Sequence, residues 1–119
     1  MCSARLSAKQ QQGRVGEQQA LAYLQQQGLA LVDTNFSCKA GEIDLIMRER
    51  DTLVFVEVRK RSGVVPGAAA ESITPAKKRR IIRAAQLYLT RFARMPACRI
   101  DVVTIDGEVL EWLPDAIEV

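Results

Sequence analysis

The chain has 119 residues, 48% of them hydrophobic and 26% charged, which is the size and balance of one globular domain over 1–119 rather than a disordered tail. It contains no histidine, so it cannot supply a Ser-His-Asp or Cys-His triad, a Cys2His2 zinc site or a histidine-based nuclease motif. Any catalysis must rest on Asp, Glu, Lys, Arg, Tyr, Ser, Thr or a metal held by oxygens.

Three cysteines, Cys2, Cys38 and Cys98, are too widely spaced for CxxC chemistry and fit a reducing compartment. No apolar run approaches the roughly 20 residues that cross a bilayer. The start, Met1-Cys2-Ser3-Ala4-Arg5, does not lead into a signal-peptide apolar stretch. A cytoplasmic protein with no membrane partner is expected. Net charge is +3, unevenly placed. Residues 74 to 94 carry seven bases and no acid, and residues 100 to 119 six acids and no base. A basic block inside a folded domain points to a polyanion partner.

In chain order, Ser7 to Gln27 reads as a helix with Val15, Leu21 and Leu24 on its apolar stripe and Gly28 as its stop. Leu29 to Val32 reads as a short strand. Residues 41 to 60 carry the strongest hairpin signal, and Ser62 to Pro66 a loop. Thr74-Pro75 opens a second helix, with a hydroxyl cap and proline at the first helical position. Ile81, Ile82, Ala85, Tyr88, Leu89 and Phe92 recur at helical spacing to about Arg94. Arg99 to Ile105 and Glu108 to Leu113 read as strands joined at Asp106-Gly107. The order αβββαββ predicts an α/β chain of α+β type, with helices covering a mixed sheet.

Centring the first hairpin turn on Arg50-Asp51 makes antiparallel partners sum to 101. Ile43 then faces Val58, Leu45 faces Val56 and Met47 faces Val54, one apolar face that a one-residue slip would scramble. On the other face Asp44 falls opposite Glu57, and Glu42 opposite Arg59. Directly paired side chains stand about 4.5 to 5.5 Å apart at Cβ, and like charges there repel. Two such carboxylates call for a cation. Arg59, two residues on and hence on the same face, is one candidate. A divalent ion is the other, since Mg²⁺ is commonly held by one or two carboxylates, waters and substrate phosphate.

Gly13-x-x-Gly16-Glu17, Gly41-Glu42-Ile43-Asp44-Leu45-Ile46, Val54-Phe55-Val56-Glu57-Val58-Arg59-x-Arg61, Lys77 and Arg99-Ile100-Asp101-Val102-Val103 together resemble the bacterial YraN family. That family is similar to restriction-endonuclease-like nucleases, particularly Holliday-junction resolvases. The resemblance implies an αβββαβ core with a central mixed sheet flanked by helices. It also implies that Asp44 and Glu57 are the metal-binding acids for Mg²⁺ or Mn²⁺, that Arg59 fills the lysine slot, and that Glu17 approaches from the first helix. The family pattern wants Glu-x-Lys, whereas this chain reads Glu57-Val58-Arg59. Arginine stays protonated and cannot act as a base, although it can steady a phosphoryl group.

Lys77, Lys78, Arg79 and Arg80 crowd the start of the second helix, the end where the macrodipole disfavours each exposed cation by roughly 0.3 to 1 kcal/mol. A bound phosphate there would reverse the sign. We read these four, with Arg83 one turn on, as contacts to a nucleic-acid backbone. Aromatic residues are only 5% of the chain and scattered, so Tyr88 and Phe92 are read as core and recognition as backbone- and shape-based. The expected function is a Mg/Mn-dependent DNA endonuclease acting on structured or branched DNA. The alternative is a nuclease-fold DNA-binding module with weak or lost catalysis. A third class is an adaptor docking a protein through Trp112, Leu113 and Ile117. The likeness to dimeric resolvases also allows a symmetric homodimer through that edge.

Overall fold

A computed structural model describes residues 8–63 and 65–118. The N-terminal segment with Cys2, the expected helix start at Ser7 and residue 64 of the expected loop lie outside them. Helix α1 (Ala8–Gln26) is followed by β1 (Ala30–Cys38), β2 (Gly41–Glu49) and β3 (Thr52–Arg61). Two helices, α2 (Ala68–Glu71) and α3 (Pro75–Leu89), lead to β4 (Cys98–Asp106) and β5 (Val109–Ile117). The strands form one sheet in the order β1-β2-β3-β4-β5, in which β3 and β4 are parallel and the other neighbours antiparallel. The expected mixed sheet flanked by helices is what forms, and α2 is the element the sequence pattern did not single out.

A parallel pair needs a long crossover, and α2 and α3 supply it. α3 packs Ile81, Ala84, Ala85 and Tyr88 on Ile46, Phe55 and Ile100. On the opposite face α1 packs Ala20 and Leu24 on Leu45, Met47, Val54, Val56 and Val103. With both faces covered, β3 reads as the unbroken apolar run Leu53-Val54-Phe55-Val56. Among the described residues no helix is long and apolar enough to cross a membrane.

Local signals account for most boundaries. Gly28 takes φ +97, and the Leu29 N–H bonds to Leu24 O while the Gly28 N–H bonds to Gln25 O, a Schellman stop for α1. Thr74 caps α3 by accepting from the Lys77 N–H at 3.2 Å, with Pro75 next. Five expectations are corrected. Val15 lies outside the buried stripe of α1 and is 46% exposed. The buried positions are Gly16, Ala20 and Leu24, four residues apart, with glycine where the helix meets Lys60 and Val58 closely.

α3 stops at Leu89, because Arg91 and Phe92 turn back on Tyr88 and Leu89 through short-range bonds. Phe92 is consequently 40% exposed rather than core. β1 extends far beyond Val32. Its outer half is polar, as suits an edge strand, and pairing with β2 rather than apolar content defines it. At the last turn Asp106 pairs with Val109, so Gly107-Glu108 make the bend, with Gly107 at φ +63.

The three residues of the expected adaptor surface take part in the sheet. The Trp112 indole N–H donates to Asp101 at 2.9 Å, Leu113 packs against the core and Ile117 is buried beside Ile100.

Candidate functional site

The first hairpin keeps its expected register only from the turn to Leu45↔Val56. Beyond that point β2 goes on pairing with β1 (Phe36↔Ile43, Ser37↔Glu42), while β3 pairs with β4 (Glu57↔Val102, Arg59↔Thr104). The strands diverge, so the direct partnerships Ile43–Val58, Asp44–Glu57 and Glu42–Arg59 do not form. Side-chain alternation breaks at the same place: Leu45 and Met47 face α1, but Ile43 joins Ile46 and Phe55 under α3. Asp44 closes the fork, its Oδ2 accepting the Val58 N–H at 2.8 Å in place of a ladder carbonyl.

Splaying opens a cleft of about 260 Å³ between the β2–β3 fork, α1 and α3. Its carboxylates are Glu17, Glu42, Asp44 and Glu57, and its cations Arg59, Lys77 and Arg80. All four residues expected to carry the chemistry therefore meet in one place, through the fork rather than by direct pairing. Burial pushes the Glu57 carboxyl well above the usual carboxylate range; a hydrogen bond to Asp44 and the Asp44 charge push it further, and Arg59 only partly offsets them. Burial and then the charge of Asp44 raise Glu17 to about 7, while a hydrogen bond from Asn35 and the charge of Arg14 pull it back. Asn35 takes the left-handed φ of 52°, a conformation asparagine adopts more readily than other non-glycine residues.

Arg59 lies 4.0 Å from Glu57 through Nη1, and its Nε donates to Ser72 Oγ at 2.9 Å. Lys60 takes the opposite side of β3, its Nζ donating to Gln19 at 2.9 Å, so it cannot substitute for Arg59. The basic helix divides by periodicity. Lys77 and Arg80, three residues apart, face the cleft. Lys78 lines a separate groove with Ile73, Val102 and Leu113, and Arg79 and Arg83 are exposed and line neither. Gly41 explains how α3 comes so near: a Cβ there would stand 2.5 Å from the Arg80 carbonyl oxygen.

Among the described residues no three His, Cys, Asp or Glu side chains group closely enough to hold a metal ion. The donor chemistry nonetheless fits a hard divalent ion in the looser mode. Asp44 and Glu57 offer carboxylate oxygens from adjacent strands, and Mg²⁺ keeps several waters and takes phosphate oxygens to complete its shell. Asn35 and Ser72 are residues beside the site that sequence reasoning missed, and Gly41 entered it only as part of a motif. Only Gly41 had a signal, as an invitation to close backbone approach.

Comparison with known proteins assigns the chain. The model of the Uncharacterised protein family UPF0102 matches residues 16–105. A UPF0102 protein of Herminiimonas arsenicoxydans is 55% identical over 112 residues, covering 94% of this chain and 90% of its own length. One from Cupriavidus metallidurans is 57% identical over 113 residues, with 94% and 84% covered. Another, from Cupriavidus necator, is 50% identical over 117 residues, with 98% and 89% covered. The chain belongs to the UPF0102 family, the YraN family that its motifs resemble.

Proposed function

We propose that this protein binds DNA by its phosphate backbone and hydrolyses phosphodiesters in structured or branched DNA with Mg²⁺ or Mn²⁺. The observation that carries this reading is the convergence of Asp44, Glu57 and Glu17 with Arg59, Lys77 and Arg80 in one cleft. Two partly buried acids that share a hydrogen bond with too little cation nearby are poorly compensated as they stand. A site of this kind is suited to a ligand that brings positive charge with it. Asp44 and Glu57 would hold the metal ion, which when bound supplies Lewis acidity and a more acidic water. Glu17, titrating near neutral pH, is suited to accept a proton from the attacking water. Arg59 stays protonated and steadies the charge that develops on the phosphoryl oxygens. Lys77 and Arg80 grip the strand beside it.

Purified protein with Mn²⁺ is expected to nick a four-way DNA junction, and Asp44→Ala and Glu57→Ala should each lower that rate at least about 100-fold. No cleavage of branched, duplex or single-stranded DNA would refute hydrolysis. The occupied lysine slot favours a second reading, a binding module without turnover, because an arginine bonded to Ser72 offers no base. Such a module still binds DNA, with log K falling linearly against log salt, and loses binding on Lys77→Glu and Arg80→Glu.

A further inference from the structure

The turn joining α2 to α3 reaches two of the three cleft cations through one residue. Arg59 Nε donates to Ser72 Oγ at 2.9 Å, and Lys77 Nζ donates to the Ser72 carbonyl at 3.3 Å. That hydroxyl has a fixed direction, since it donates in turn to Ala69 O at 2.5 Å. α2 is tied to the sheet by Asp106 at the end of β4, whose Oδ1 accepts the Ala69 N–H at 2.8 Å and Oδ2 the Gly67 N–H at 3.2 Å. A continuous set of bonds thus runs from β4 to the cleft.

Arginine and lysine side chains have many rotamers, and ordering them on binding costs free energy. A cation already held in place has lost that freedom before an anion arrives. The contact to Ser72 is specific to arginine, because lysine carries no donor midway along its side chain. Among the described residues the Arg59 guanidinium makes no other hydrogen bond, and its 4.0 Å approach to Glu57 is too long for one. Its remaining N–H groups stay available to an anion.

We propose that the Ser72 side chain is a positioning group that presets Arg59, beside Lys77 held by the main-chain carbonyl of the same turn, as a clamp for one phosphodiester group. Arginine in the lysine slot then works as a fixed anion anchor rather than as a failed base. This inference rests on the phosphodiester reading of the cleft.

Two measurements on the full chain test it, one of them independent of nucleic acid. The Arg59 Nε–Hε NMR signal should exchange slowly with water in the wild type and in Ser72→Thr, which keeps the hydroxyl, and quickly in Ser72→Ala. Anisotropy titration of a short fluorescent DNA duplex should show Ser72→Ala binding about tenfold more weakly, with Ser72→Thr close to wild type. Arg59→Lys should lose a similar factor, and the double variant should be no weaker than Arg59→Lys alone, because both changes remove one contact. If Ser72→Ala fails to fold, Arg59→Lys and Ser72→Thr test the same contact from its other side. Wild-type affinity in Ser72→Ala or Arg59→Lys, or additive losses in the double variant, would overturn the clamp. An unchanged Hε signal in Ser72→Ala would overturn the positioning itself. A wild type that binds no DNA, with the Hε behaviour as expected, would sink the phosphodiester reading and leave the Ser72–Arg59 link standing.

Discussion

Two acid–arginine pairs with the same two-residue spacing lie on adjacent central strands, and they are built for opposite purposes. On β4, Asp101 is fully buried and surrounded by donors. Arg99 reaches it through Nε at 2.9 Å and Nη2 at 3.2 Å, Trp112 Nε1 at 2.9 Å and the Asp115 N–H at 2.8 Å. Arg99 also meets Glu49 at 2.8 Å, and these partners raise its pKa above the ordinary arginine value. On β3, Glu57 is nearly as buried, with 12% of its side chain exposed. It shares a hydrogen bond with another carboxyl, Asp44, and its arginine stands 4.0 Å away, bonded elsewhere. A buried charge kept for stability collects hydrogen bonds. A buried acid set against an acid is poorly compensated, and perturbed groups of that kind cluster at functional sites.

The largest effect should come from the β4 pair. Asp101→Asn leaves Arg99, Trp112 and Asp115 with a poor acceptor and should cost about 3–5 kcal/mol in urea unfolding. Below the unfolding transition, DNA affinity should be unchanged.

The β3 pair should behave in the opposite sense. Glu57 binds its proton more tightly folded than unfolded, so without divalent metal its contribution to stability falls as pH rises from about 4.5 through neutrality. Glu57→Gln mimics the protonated form. It should match wild type at pH 4 and be more stable at pH 8 by about 1–2 kcal/mol, while losing calorimetric Mn²⁺ binding. A loss of stability as large as that of Asp101→Asn would erase the contrast between the two pairs.

The smallest effect belongs to Glu17, whose carboxyl is half open to water. Its raised pKa makes wild-type stability decline between about pH 4.5 and about 7. Glu17→Gln should flatten that window by less than about 1 kcal/mol after solvent screening, as read from thermal unfolding across pH. Equal pH slopes in wild type and Glu17→Gln over this range would show that Asp44 and burial do not act on Glu17 as placed.

Much of this was open to reading in one dimension. Period-two apolar residues marked β2 and β3 and their register as far as Leu45↔Val56, because a slip there would turn the apolar set to the wrong face. Thr74-Pro75 marked the start of α3, since capping is local chemistry. Asp44, Glu57, Arg59 and Glu17 were named from their motifs and do line one cleft.

What escaped the sequence depended on contacts between distant segments. The hairpin register is a two-strand rule, and it fails where β1 and β4 compete for the same strands and pull the fork apart. Lys78 and Arg79 were grouped with Lys77 by proximity along the chain, but a helix turns about 100° per residue, and of the five expected cations Lys77 and Arg80 line the cleft. Ser72 carries no signal beyond being a loop hydroxyl. Its role exists only because Asp106, on a strand reached after the whole of α3, fixes the turn in which it sits. The one-dimensional pattern determined which elements form and which side chains carry charge, because propensity, capping and alternation act over a few residues. The fold alone decided which charges meet, because a cleft is made by strands choosing neighbours and helices packing at a distance that no local rule encodes.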